Sequence, residues 1–254
     1  MYQKIYARRW SFFFRADYRY RKLWFREIFE KYGIRPEGKK VLDVGFGSGG
    51  LLFSLPRSTG LYGVEQADSA IENADREAKA LGYREFEFKK FKGSLPFDDA
   101  LFDLVFCVHV LEHVEDDRRL VEEMRRVLKP DGLLLLVLPV EREGENPRHL
   151  RVYRSEQVRR LIDGSLELVG EEGSYHHARF MLPLIRVHTK WQVPVIGSVC
   201  DILHHLLLRF LPYRAGRFLD RLLESRGVEP SQRLYLCRAP AQAAAASRAM
   251  GGGR

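Results

Sequence analysis

Cysteine is scarce in this chain. Its three cysteines, Cys107, Cys200 and Cys237, are odd in number and widely spaced among 254 residues. That argues against a disulfide framework or a thiolate metal cluster, and for a reducing, cytoplasmic setting. No stretch approaches the ~18–20 uninterrupted apolar residues of a spanning helix. The N-terminus is basic but lacks a continuous apolar segment, so no secretory signal is expected. Internal repeats are absent, and so is any acidic surplus. The net charge is +8, and residues 1–40, with twelve Lys/Arg against four Asp/Glu, carry a surplus of the same size. The remainder is near neutral. Residues 2–32 also hold twelve of the Phe, Tyr and Trp residues.

What is present is an alternation of strand-like and helix-like segments from about 39 to 139. KKVLDVGF, GLYGVE, REFEFKK, LFDLVFCVHV and LLLLVLP read as strands. GLLFSL reads as a short helix, ADSAIENADREAKALG as a longer one. EDDRRLVEEMRRVLKP reads as an amphipathic helix with Leu120, Val121, Met124, Val127 and Leu128 on one face, ended by Lys129-Pro130-Asp131-Gly132. Continuous apolar strands alternating with helices imply a parallel α/β sheet covered on both faces. Further on, SEQVRRLI is a short helix with Ser155 as its cap, and RLYLCRAP is a last strand. The expected organisation is an N-terminal helical lid (1–38), a cofactor-binding core (39–175), a helical cap insertion (176–228), the last core strand (229–240) and a low-complexity tail (241–254).

The ten residues from Val41 to Gly50, VLDVGFGSGG, run from a buried strand into a glycine turn. Gly45, Gly47 and Gly50 fit GxGxxG, the dinucleotide fingerprint; Gly45, Gly47 and Gly49 fit GxGxG. Glycine reaches φ > 0 freely and leaves room for a nucleotide-like ligand. Glu65, at the end of GLYGVE, can accept hydrogen bonds from both hydroxyls of a ribose. An adenosine-containing cofactor is expected, and the glycines alone leave a nicotinamide site or a plain packing turn open.

The order of motifs narrows this. Asp43 precedes the turn, and GSLPFDD, FDLVFCVHVLEHVEDD, RRVLKPDGLLLLVLP and HLRVYRSEQVRRLI follow at regular distances. This series, over about residues 40–172, resembles the class I S-adenosylmethionine-dependent methyltransferases, particularly the small-molecule branch of ubiquinone and menaquinone methyltransferases. The resemblance implies a Rossmann-like, mostly parallel seven-stranded sheet and S-adenosylmethionine as cofactor. It places Gly45, Gly47 and Gly49 under the methionine part and Asp43 at its amino group. Glu65 falls on the ribose and Gln66 along the adenine. Gly93 and Ser94 fall in the loop that reads the adenine edge, where many relatives have an aspartate and this chain has Phe91-Lys92-Gly93-Ser94. Cys107 and Val108 come near the sulfonium.

Methyl transfer from a sulfonium is an in-line displacement in which the protein mainly positions reactants and excludes water. A hydroxyl acceptor also needs a base, and histidine's ordinary pKa near ~6.5 suits that task. His113, in the phrase LEHV, is the first candidate, and His149 in PRHLRVY the second; each also has a purely structural alternative. His109 is placed inside the sheet edge, Tyr153 beside the acceptor, and Glu112 in a helix cap or local ion pair. The adjacent pairs His176-His177 and His204-His205 lack acidic company, so no metal site is expected. The reaction implied is methyl transfer to an O or C atom of a small, lipid-like or anionic acceptor. The basic aromatic N-terminus, and a stripe of Phe218, Leu219, Leu222 and Leu223 ringed by Arg214, Arg217 and Arg221, leave peripheral contact with an inner membrane face open. RNA methylation and a non-catalytic cofactor-binding role stay as alternatives; CVHV replaces the Asn-Pro-Pro-aromatic phrase of adenine-N6 enzymes. Oligomeric state is not legible.

Overall fold

The computed structural model describes residues 11–175 and 212–241, the side chains of 11–18 excepted. Seven strands, β1 (Lys40–Val44), β2 (Gly60–Glu65), β3 (Phe86–Lys90), β4 (Phe102–Val108), β5 (Leu128–Pro139), β6 (Glu167–Ser174) and β7 (Gln232–Arg238), form one sheet in the order β3-β2-β1-β4-β5-β7-β6. The pairings β1/β2, β1/β4, β2/β3 and β4/β5 are parallel. The chain moves outward from β1 to β3 on one side, then returns to lay β4 on the other. The carboxyl ends of β1 and β4 therefore flank a topological switch point, where open α/β sheets bind ligands.

The described helices are α1 (Ser11–Tyr32), α2 (Asp68–Ala80), α3 (Asp117–Val127), α4 (Ser155–Ile162) and α5 (Tyr213–Glu224). The chain divides into two compact units. One takes residues up to Ile34 and Gly173–Arg233; the other takes Arg35–Glu172 and the segment from Leu234.

In the second unit the apolar strands are buried on both faces: Val41, Leu42 and Val44 of β1, and Leu134 to Leu138 of β5, are at most 2% exposed. Helix α3 starts where the Asp116 carboxylate accepts from Arg119 N (3.0 Å), capping an otherwise orphan donor. Its Leu120, Val121, Met124 and Val127 enter the core, as does Leu128. In α2 the buried positions are Ala70, Ala74 and Ala78, a small-residue stripe at helical spacing that lets the backbone lie close.

Four local expectations need correction. GLLFSL makes only the single 3-10 turn Leu52–Ser54, because Leu55 precedes Pro56 and is extended (ψ 160). Ser155 is the first residue of α4 and not its cap; its hydroxyl donates to Glu171 (2.9 Å), while Gln157 Oε1 accepts from Arg154 N. The segment Lys129-Pro130-Asp131-Gly132 is a break within β5 more than a stop before it. The pairing jumps from Phe102↔Leu128 to Leu104↔Leu133, with Asp131 at φ 60. The fourth correction lies in the first unit.

There, besides the apolar Trp24, Phe25 and Ile28, a polar cluster is buried. Arg217 is buried and grips Glu27 with Nε (2.9 Å) and a second nitrogen (3.1 Å), a bidentate pair; Tyr213 OH also donates to Glu27. Tyr20 OH donates to Asp220 (2.7 Å), and its ring packs on Tyr175 (4.5 Å) and Tyr213 (5.1 Å). The buried face of α5 is thus Gly216, Arg217, Asp220 and Leu223, while Phe218 is 70% exposed. Arg217, expected at the rim of the apolar stripe, is instead turned inward with Asp220, because both find charged or hydroxyl partners there, and Phe218 is left outside. The two histidine pairs, Cys200 and most of the expected cap insertion lie outside the described residues.

Candidate active site

The candidate site is built from the carboxyl ends of β1, β2 and β4 and the loop after β5, all within the second unit. Leaving β1, the chain enters left-handed backbone at Gly45 (φ 71), Gly47 (φ 56) and Gly49 (φ 70). Gly50 is not among the left-handed residues, so the backbone follows the GxGxG spacing. At Gly45 a Cβ would stand 2.6 Å from Val110 Cγ2. The bend and the β4 exit therefore touch, and only a bare Cα fits between them.

Glu65, half-buried at the end of β2, faces this bend. Its Oε2 accepts from Gly47 N (2.9 Å) and its Oε1 from Gln66 N (2.7 Å). Each oxygen keeps a further lone pair. Gln66 is exposed just past it. Asp43 is buried in β1 (4% exposed). Gly93 (φ 93) and Ser94 are exposed in the loop after β3, where Lys92 is exposed as well. A bend that a Cβ would fill at Gly45, with a carboxylate facing it, fits a nucleoside-bearing cofactor. Cys107, paired in register with Val44, is fully buried. Burial first, then the charges of Glu112 and Asp43, hold its thiol well above the ordinary range. It is an inert wall and not a nucleophile.

At the β4 exit His109 takes a left-handed conformation (φ 56), strained for a residue with a side chain, and its N–H donates to Val137 O (3.0 Å). A single 3-10 turn, Leu111–His113, follows. Glu112 in that turn is fully buried, and neither carboxylate oxygen has a hydrogen-bond partner. His109 Nδ1 stands 3.3 Å from Oε1, outside hydrogen-bond alignment, an ion pair when the ring is protonated. Of the two roles expected for Glu112, the geometry is that of the local ion pair and not of the helix cap.

The loop after β5 folds onto this turn. Leu150 N donates to Glu112 O (2.8 Å), and His113 Nδ1 lies 3.2 Å from Arg148 O. The rings of His113 and His149 meet edge to face at 4.8 Å. His149 is held twice: Nδ1 against Glu141 Oε2 (2.6 Å) and Nε2 against Asn146 Nδ2 (2.9 Å). A carbonyl and a carboxylate can only accept, so both Nδ1 atoms carry a proton, and in the neutral ring Nε2 is the nitrogen with the lone pair. Tyr153, expected beside the acceptor, is instead a buried strut whose hydroxyl donates to Asp117 (2.7 Å). Burial pulls the Asp117 carboxyl upward, but hydrogen bonds from Arg151 and Tyr153 and the Arg151 charge outweigh it and hold the group low.

The structure thus brings together His113 and His149, 36 positions apart, and sets the glycine bend against Glu65. Glu141, Asn146 and the buried side chain of Glu112 were not foreseen. Their only sequence signal is polar residues next to a candidate histidine.

Residues 42–136 match the family model described as a methyltransferase domain. An uncharacterized methyltransferase of Bacillus subtilis (strain 168), YcgJ, is 39% identical over 101 residues, covering 39% of this chain and 40% of that protein. A ubiquinone biosynthesis O-methyltransferase of Actinobacillus pleuropneumoniae serotype 5b (strain L20) is 33% identical over 103 residues, 38% of this chain and 44% of that one. The chain spans less than half the length of these relatives. In fold, the crystal structure of the [4+2]-cyclase SpnF superposes with a TM-score of 0.60 at 21% identity, covering 87% of this chain and 81% of that one.

Proposed function

We propose that the chain is a class I methyltransferase that moves a methyl group from S-adenosylmethionine to an O or C atom of a small acceptor, lipid-like or anionic; the match of residues 42–136 to a methyltransferase domain supports this. The observation that carries this reading is the coincidence of that domain with the bend at Gly45, Gly47 and Gly49 facing the Glu65 carboxylate. When bound, S-adenosylmethionine supplies an electrophilic methyl group on a sulfonium. The chain's own part is positional. Glu65 would take the ribose hydroxyls and Gln66 the side of the adenine. Gly93 and Ser94 would lie at the adenine edge, and Asp43 would face the amino group. Cys107 would close the floor beneath the sulfonium.

His113 and His149 would serve the acceptor. With Nδ1 turned to the Arg148 carbonyl or the Glu141 carboxylate, the Nε2 lone pair of the neutral His113 would receive a hydroxyl proton, and that of His149 would do so on giving up the Asn146 amide. In the first unit, exposed Phe218 between exposed Arg214 and Arg221 supports contact with an anionic membrane surface. Buried Cys107 and Cys237 fit the cytoplasmic side. No described helix is long and apolar enough to cross a membrane.

The test is calorimetry with S-adenosylhomocysteine against NADH, followed by mass spectrometry of metabolite extracts incubated with isotopically labelled S-adenosylmethionine. Binding of the first ligand and a labelled product are expected. Binding of NADH instead, or cofactor binding with no labelled product in any extract, overturns the reading.

A further inference from the structure

The imidazole cluster has a feature that proton transfer alone leaves unexplained. Glu112 is a carboxylate with no exposure and no hydrogen bond to either oxygen. Such a group is costly unless a charge meets it, and His109, with Nδ1 3.3 Å from Oε1, meets one oxygen only, and only when its ring is protonated. Two imidazoles converge on the same place: ligand atoms of Glu112, His113 and His149 all lie within 4.8 Å of one another. The surroundings are also those of a metal site. A histidine ligand characteristically donates its second ring nitrogen to a carboxylate or a carbonyl, which fixes the tautomer and aims the lone pair. Here Glu141 does this for His149 (2.6 Å) and Arg148 O does it for His113 (3.2 Å). Asn146, whose Oδ1 is engaged by Arg148 N, offers its amide N–H to His149 Nε2. A cation would take that lone pair in place of a neutral donor.

We infer that Glu112, His113 and His149 form a binding site for a first-row divalent transition-metal cation of the zinc type. Two nitrogen donors and one carboxylate suit zinc, cobalt or manganese better than magnesium or calcium, which prefer all-oxygen shells. Three protein ligands also leave a coordination position open, as catalytic sites do.

The inference deepens the methyl-transfer reading by naming the acceptor class, and its catalytic consequence rests on that reading. An acceptor with an ionisable oxygen, a phenol or an enol, would bind at the open position and lose its O–H proton to solvent there. Its oxygen lone pair would then form the O–C bond to the methyl group. The C–S bond breaks, with its electron pair going to sulfur and a neutral thioether as product. The histidines would hold the ion that ionises the acceptor instead of taking the proton themselves.

The experiment uses the full chain, stripped of metal by dialysis against a chelator. It is titrated with Zn²⁺ by calorimetry and with Co²⁺ by visible absorption, and S-adenosylhomocysteine binding is measured in parallel. We expect a saturable zinc site and a Co²⁺ spectrum of a nitrogen-ligated ion. His113→Ala and His149→Ala should each weaken zinc by about a hundredfold or more, and Glu141→Gln by about ten- to a hundredfold. S-adenosylhomocysteine affinity should stay unchanged in all three, which also reports that they are folded. No saturable site, or equal zinc affinity in the His113→Ala/His149→Ala double variant, overturns the inference. Zinc binding without S-adenosylhomocysteine binding sinks the methyl-transfer reading and leaves the metal site standing. S-adenosylhomocysteine binding without zinc binding does the reverse.

Discussion

The two halves of the candidate site are made of different material. The cofactor end, at the exits of β1 and β2, is backbone: three left-handed glycines and two N–H groups gathered on one carboxylate. The acceptor end, at the exit of β4, is side chain: two imidazoles, a buried glutamate and the residues that steady them. A backbone cradle admits one shape of ligand and tolerates little change. A side-chain cluster can be altered one group at a time, which is how one fold serves many acceptors.

The largest effect expected breaks the first half alone. Gly47→Val puts a β-branched residue at φ 56 and crowds the Glu65 contact. S-adenosylhomocysteine affinity should fall by roughly a hundredfold or more, about 3 kcal/mol, while Zn²⁺ affinity is retained. Loss of both in a folded variant would show the halves to be one unit. The second half breaks with His149→Ala. Turnover should drop by about 10²–10³ with cofactor affinity intact, and single-turnover kinetics would read this. Equal turnover would remove His149 from the chemistry.

A smaller change sharpens the contrast. Glu65→Gln keeps the size of the group but loses its charge and one acceptor, so cofactor affinity should fall about tenfold, close to 1.4 kcal/mol. Smaller again is Glu112→Gln. It replaces a buried carboxyl group that has no hydrogen bond, and only His109 beside it, by a neutral amide, so the metal-free protein should become more stable by about 1 kcal/mol. Urea denaturation would check this, and a destabilised variant would mean that the pair with His109 holds the turn together. The smallest effect is in acid. Asp117 has a lowered folded pKa, so its stabilisation is present above the unfolded value near ~3.9 and is lost as pH falls through the lower folded value. Asp117→Asn should flatten the decline in melting temperature below about pH 4.

Legibility in the sequence followed the same division. The backbone half was readable because glycine spacing and a strand-end acid are local signals: three glycines and Glu65 within 21 positions. The sheet was readable from apolar strands such as LLLLVL. What escaped depended on distant partners. Nothing near Arg217 in sequence announces Glu27, 190 positions away, and without it Arg217 looked like a rim residue beside Arg214 and Arg221. Glu141 and His149 are eight positions apart within a polar loop, a spacing that carries no periodic signal until the loop is folded. Glu112 was read as a cap or a local ion pair, and its complete burial was missed because glutamate is rarely buried whole.

The hydrogen bonds from Gly47 and Gln66 to Glu65 bear on the kinetics of capture. A loop already clasped by its own anion has paid its ordering entropy during folding. An incoming nucleoside then meets a rigid receptor, so association should proceed at rates typical of docking to a preformed cleft, with no slow isomerisation phase in stopped-flow traces.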